Sequence, residues 1–169
     1  MASYLSFMTQ QSCFSTTSPL PTSIAQEKII QILHSHAEMI HLNPMVVGFQ
    51  KCNTPACAPQ HEHDFAWYEI TDRVSFLPFG VFSGKITYHA GFHDLPTGLE
   101  THVYAPMGLD TKTTWTVNGH IDALYLKEDV DMRCHFLMTN FVKNSMKQAH
   151  EPLTARLISE AEDAERITR

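Results

Sequence analysis

Two carboxylates stand on otherwise apolar strand faces. In residues 66–76, alternate positions place Ala66, Tyr68, Ile70, Asp72, Val74 and Phe76 on one side. Phe65, Trp67, Glu69, Thr71, Arg73 and Ser75 take the other. In residues 124–130 the apolar set is Leu124, Leu126, Glu128 and Val130. Because strand side chains alternate between faces, Asp72 and Glu128 are predicted to point into an apolar interior. Burial disfavours the ionised carboxylate and raises its pKa, which suits a general acid or base working near neutrality. The duller alternative is an acid buried for structure, hydrogen-bonded to backbone or paired with Lys or Arg. Tyr68 and Tyr88 also fall on inward faces. Each can donate to a substrate carbonyl or enolate, or simply pack with its hydroxyl at a rim.

Histidines widen the choice. His135 is predicted in the first turn of a C-terminal helix, on its sheet-facing side, as either a proton shuttle or a satisfied core residue. His102 and Tyr104 share one strand face, but the opposite face (Leu99, Thr101, Val103, Ala105) is more apolar. Simple alternation therefore turns His102 outward unless a bulge re-aims it. Cys52, Cys57, His61 and His63 gather two thiols and two imidazoles within twelve positions. Zinc uses such ligands, but this spacing is looser than its usual pairs. A Pro-containing surface loop is the plainer reading, so no metal is predicted. No phosphate loop, nucleophile pattern or dinucleotide fingerprint occurs, and no cofactor is predicted.

These side chains need elements to hold them. Apolar or small residues at 134, 138, 141, 142, 145, 146, 149 and 153 follow a helical period. That predicts a long C-terminal helix beginning near Asp131 as N-cap and kinked or divided at Pro152. Upstream, residues 3–18 read as a first strand. An amphipathic helix capped at Thr22-Ser23 should end near His36, with a short second helix over 37–41. Residues 45–49 read as a strand and 51–63 as a surface loop. Strands follow over 64–73, 74–77, 81–93, 99–105, 109–117 and 121–130, and Asn118-Gly119 is the strongest hairpin signal. A lone long helix after many strands must bury its stripe on their sheet. The predicted class is α+β: a single domain in which a curved antiparallel sheet grips the C-terminal helix.

Composition narrows the function classes. The 169 residues suit one domain. A net charge of -6 without a Lys/Arg cluster argues against nucleic-acid binding. No apolar run predicts a membrane span, and residues 1–21 lack the features of a secretory signal. Four scattered cysteines are too few for a disulfide scaffold, which predicts a reduced, cytoplasmic protein.

Four separated stretches carry a family resemblance: Trp67-Tyr68-Glu69-Ile70-Thr71-Asp72-Arg73, Ser83-Gly84-Lys85-Ile86-Thr87-Tyr88, His102 through Asp110, and Leu124 through Cys134. With the element order, they resemble a fungal START-like (Bet v 1-like, helix-grip) family of mostly uncharacterised domains, over residues 5–157. The chain looks like the small START-like proteins that close polyketide chains into α-pyrones. His135 departs from the pattern, where a polar Asn is expected after the Cys. The resemblance implies a helix-grip fold with an apolar cavity between sheet and helix.

On that basis the chain is expected to be a polyketide cyclase. Asp72 or Glu128, through His135, would be the base and Tyr68 or Tyr88 the donor. Trp67, Phe82, Phe92, Trp115 and Phe141, with His102 and Tyr104 in second rank, would line or support the pocket. The expected ligand is an apolar, polyketide-like small molecule delivered by an acyl carrier domain. The alternatives are a non-catalytic carrier of a sterol, lipid or pigment, and an interaction protein, as a homodimer, whose cavity is filled.

Overall fold

The computed structural model describes residues 8–75, 83–120 and 123–168. Seven strands form one antiparallel sheet: β1 (Thr9–Pro19), β2 (Val46–Lys51), β3 (Ala66–Ser75), β4 (Ser83–Leu95), β5 (Gly98–Ala105), β6 (Leu109–His120) and β7 (Ala123–His135). Their order is β1-β7-β6-β5-β4-β3-β2. Thus β2 to β7 follow one another as a meander, and β1 lies against β7. Two short helices, α1 (Gln26–His34) and α2 (His36–Leu42), separate β1 from β2, and α3 (Thr139–Thr168) ends the chain. The curved sheet grips α3, the helix-grip arrangement predicted from sequence.

Burial explains the grip. Leu153, Leu157 and Ala161 of α3 pack with Leu99, Trp115, Val117 and Leu126 of the sheet and with Ile29, Leu33 and Ile40 of α1 and α2. Burying each large aliphatic side chain contributes about 1.5–3 kcal/mol. His34 anchors α1 by donating from Nε2 to the carbonyls of Leu95 and Gly98, 3.0 and 2.9 Å away. At Gly98 a Cβ would lie 1.8 Å from the Trp115 carbonyl oxygen, so this close strand approach requires glycine.

Several predicted boundaries move. The helix begins at Thr139 rather than near Asp131, because residues 130–135 continue β7. Val130, Met132 and Cys134 are buried at strand period, between β1 and β6. Asp131 caps nothing; its carboxylate accepts from Gln11 Nε2 at 2.7 and 2.9 Å across the β1–β7 pair. Pro152 lies inside α3 without dividing it. The donor it removes would have served the carbonyl of Gln148, an exposed residue that solvent can reach. Residues 66–75 form one strand, not two. The β6–β7 ladder continues past the predicted turn, pairing Gly119 with Leu124 and His120 with Ala123. The N-cap of α1 is Ala25, not Ser23, and no side chain caps it.

Candidate ligand cavity

A cavity of 210 Å³ lies between the concave face of the sheet, α2 and α3. Strand alternation builds one wall: Ile70, Asp72 and Val74 of β3, then Ile86, Tyr88, Ala90 and Phe92 of β4. Thr101, Val103 and Ala105 of β5 continue it, followed by Leu109, Thr111, Thr113 and Trp115 of β6. The opposite wall is Met39 and Ile40 of α2 with Phe141, Val142, Met146, Ala149, His150 and Leu153 of α3. Apolar side chains dominate, so each polar group is conspicuous.

Asp72 is 9% exposed and its Oδ2 accepts the Tyr88 hydroxyl at 3.0 Å. Burial pushes the Asp72 carboxyl above the usual range, opposed by the Tyr88 hydrogen bond and the nearby His150. Burial, then the Asp72 charge, pushes the Tyr88 phenol far up, so Tyr88 keeps its proton and acts as donor. Asp72 Oδ1 has no hydrogen-bond partner, nor does Thr111 Oγ1. They sit on β3 and β6, with β4 and β5 between them. Three strand spacings measure about 14 Å along a sheet, and both residues belong to the lining of the one cavity.

The second inward acid, Glu128, is buried and accepts a hydrogen bond from His150 Nδ1. It borders a cleft of 500 Å³ between β1 and α3 rather than the inner cavity. His150 lines both spaces, with its ring 5.6 Å from Trp115. Helical periodicity points to it. It stands four residues after Met146 and three before Leu153, on the stripe facing the sheet.

The structure separates the remaining predicted residues. Phe92, Trp115 and Phe141 line the cavity. Tyr68 is half-buried outside that lining, edge-on to Phe92 at 5.4 Å and Phe49 at 6.1 Å. Its phenol is raised by burial and then by Asp94, remote from Asp72 along the strands. Phe82 lies outside the described residues.

Trp67, His102 and Tyr104 are not pocket residues: strand parity puts them on the convex face, beneath residues 52–65. Trp67 is 1% exposed, stacks on Phe65 and Tyr104, and donates from Nε1 to the Glu62 carbonyl at 3.1 Å. His102 places Nδ1 2.5 Å from the buried Glu62 and Nε2 2.7 Å from Asp110. The Tyr104 hydroxyl donates to Glu62 at 3.1 Å. These contacts pin the segment that was read as a surface loop.

His135 ends β7 instead of opening the helix and stands outside the cavity lining. Its Nδ1 accepts from the Leu137 amide at 3.3 Å. Among the described residues, no three His, Cys, Asp or Glu side chains form a metal-ligand group. Cys52, Cys57, His61 and His63 are accordingly not drawn into one set.

Solved structures share this architecture at low identity. A START superfamily protein from Mycobacterium smegmatis matches with TM-score 0.61 and 14% identity, over 90% of this chain and 98% of that one. Ara h 8.0201 matches with TM-score 0.58 and 10% identity, over 89% and 99%. The di-domain ARO/CYC StfQ from the steffimycin biosynthetic pathway matches with TM-score 0.65 and 10% identity. That match covers 90% of this chain but 51% of StfQ, so the chain spans about half of the di-domain protein. These likenesses establish the START/Bet v 1-like fold. No curated protein sequence matches the chain significantly. Residues 9–163 match the model of a family described as a domain of unknown function, DUF7053, and the chain belongs to that family.

Proposed function

We propose that the chain binds an oxygenated but mostly apolar polyketide chain in the inner cavity and promotes its closure to an α-pyrone. One observation carries this reading. Among the described residues, the buried side-chain polar atoms without hydrogen-bond partners are Asp72 Oδ1 and Thr111 Oγ1, and both residues line the cavity. Each orphaned atom costs about 1–3 kcal/mol. A ligand with two oxygen functions along an apolar body would supply the missing partners. The cavity volume of 210 Å³ falls below the ~300–1,000 Å³ of pockets for drug-sized ligands. A short chain, or one section of a longer chain, therefore suits it.

The chemistry follows from these groups. Phe92, Trp115 and Phe141 hold the chain bent, which brings an enol oxygen against the carbonyl carbon of its own thioester or acid end. Such intramolecular positioning can remove about 7–11 kcal/mol of a barrier. Asp72 Oδ1 takes the enol proton as the new C–O bond forms, while Tyr88 fixes the carboxylate through Oδ2. The Thr111 hydroxyl donates to the oxygen that gains negative charge. Collapse breaks the bond to the thiol or hydroxide leaving group, which departs with the proton that Asp72 removed, so the carboxylate is restored. Transient contact with the acyl carrier domain of a polyketide synthase would deliver the chain.

The predominance of apolar side chains in the cavity walls favours the second reading, a carrier of an apolar small molecule without chemistry. A product assay separates the two. A linear triketide thioester is incubated with the protein and with Asp72→Asn. Ring closure faster than in buffer, lost in the variant while binding persists, supports the cyclase. Tight binding without acceleration supports the carrier.

A further inference from the structure

The 500 Å³ cleft between β1 and α3 has a composition unlike the inner cavity. Phe14 and Ile158 give it apolar flanks, while Thr16, Thr154 and Lys143 are polar groups at its surface. Met146 and His150 line both spaces, so a ligand passing between these two side chains would continue from one into the other. Lys143 is half-buried, and no described carboxylate pairs with it. The neighbouring charges are spoken for: Glu128 binds His150, and Lys147 pairs with Glu151 at 3.6 Å. Lys143 is thus the ammonium group of the cleft without a described carboxylate partner.

We propose that this cleft is a second subsite for the carboxylate end of an elongated ligand, with Lys143 as its charge partner and Met146 and His150 at the passage from the inner cavity. The inference rests on the proposal that the inner cavity holds the ligand's apolar body. It explains how a cavity of only 210 Å³ serves a longer chain, and it names the ligand class as an acyl chain that carries a carboxylate at the end remote from the reacting carbonyl. A half-buried lysine facing an incoming carboxylate is an interaction that solvent screens only in part.

Calorimetric titration with decanoate, 1-decanol and toluene tests it. Wild type should bind decanoate about five-fold more tightly than decanol, a ratio that corresponds to one favourable charge pair. Lys143→Met should abolish that preference by weakening decanoate alone. Thr16→Trp, which fills the cleft and does not line the inner cavity, should weaken both ten-carbon probes about ten-fold or more while leaving toluene within about two-fold. Equal affinity of wild type for decanoate and decanol, or a preference that survives Lys143→Met, overturns the subsite. If toluene binds and Ala90→Phe abolishes it, such a result leaves the inner cavity intact and removes the subsite alone. If no probe binds wild type, the subsite and the inner-cavity reading fall together.

Discussion

Tyr88 donates its hydroxyl hydrogen to Asp72 Oδ2 at 3.0 Å although the two residues are not opposite each other in the β3–β4 ladder. Asp72 pairs with Ile86 and Tyr88 with Ile70, so the contact runs along the diagonal. Diagonal neighbours on one sheet face come within reach of long aromatic side chains. The geometry leaves Oδ1 pointing elsewhere, which is the basis for giving Asp72 the role of base.

That placement carries a stability cost with a defined sign. The unfolded carboxyl titrates near 3.8, and the folded one above it. Through that window the folded state binds more protons, so stability falls as pH rises and the loss is complete above the folded value. Asp72→Asn avoids the loss and can still accept from Tyr88. Denaturation at about pH 7 should find the variant more stable than wild type, with the gain shrinking as the pH is lowered to about 3, below the unfolded value. The same difference at both pH values contradicts the burial of a titrating Asp72.

Thr111→Val replaces an orphaned hydroxyl by a methyl of similar shape. The variant should gain about 1 kcal/mol of stability, since it removes an unpaired buried polar group. Its ring-closure rate should fall, because the donor to the developing oxyanion is gone. A variant that is less stable would indicate that the hydroxyl has a partner in the folded protein.

Buried Glu128 pairs with the half-buried His150, and single replacements should expose that dependence. His150→Leu leaves a buried carboxylate without its partner and should cost about 3 kcal/mol. The double variant Glu128→Leu/His150→Leu removes both polar groups and should recover most of that loss. Chemical denaturation of the three forms measures the coupling; additive losses would mean that the pair does not act as a unit.

Trp67 separates packing from chemistry. Trp67→Ala empties a site beneath residues 52–65 and should destabilise by about 3–5 kcal/mol. Because it lies on the face away from the cavity, the fraction that stays folded should close rings at the wild-type rate. A rate loss per folded molecule would place Trp67 in the site after all.

The fold was legible because its signals are local and agree with one another. Strand alternation alone turned Asp72 and Tyr88 inward and His102 and Tyr104 outward. The helix start was illegible for a physical reason. Cys134 belongs to a helical period with Met138 and to a strand period with Met132, and the pairing of residues 130–135 with both β1 and β6 decides for the strand. That shift of the start carried His135 away from the cavity. His150 was overlooked because its partner, Glu128, arrives from another element 22 residues away. Alternation turned Trp67 outward as well, but not its burial, because only the fold of residues 52–65 covers that face.

The most direct test is the pH dependence of enzymatic ring closure, followed as kcat/KM on a linear triketide thioester for wild type and Asp72→Asn. If Asp72 is the base, wild type exceeds the buffer rate. Its profile then rises through an acid limb centred above 3.8, the ordinary value for this carboxyl, and the limb disappears in the variant. A wild-type rate equal to buffer, or an acid limb unchanged in Asp72→Asn, contradicts catalysis by Asp72 in this cavity.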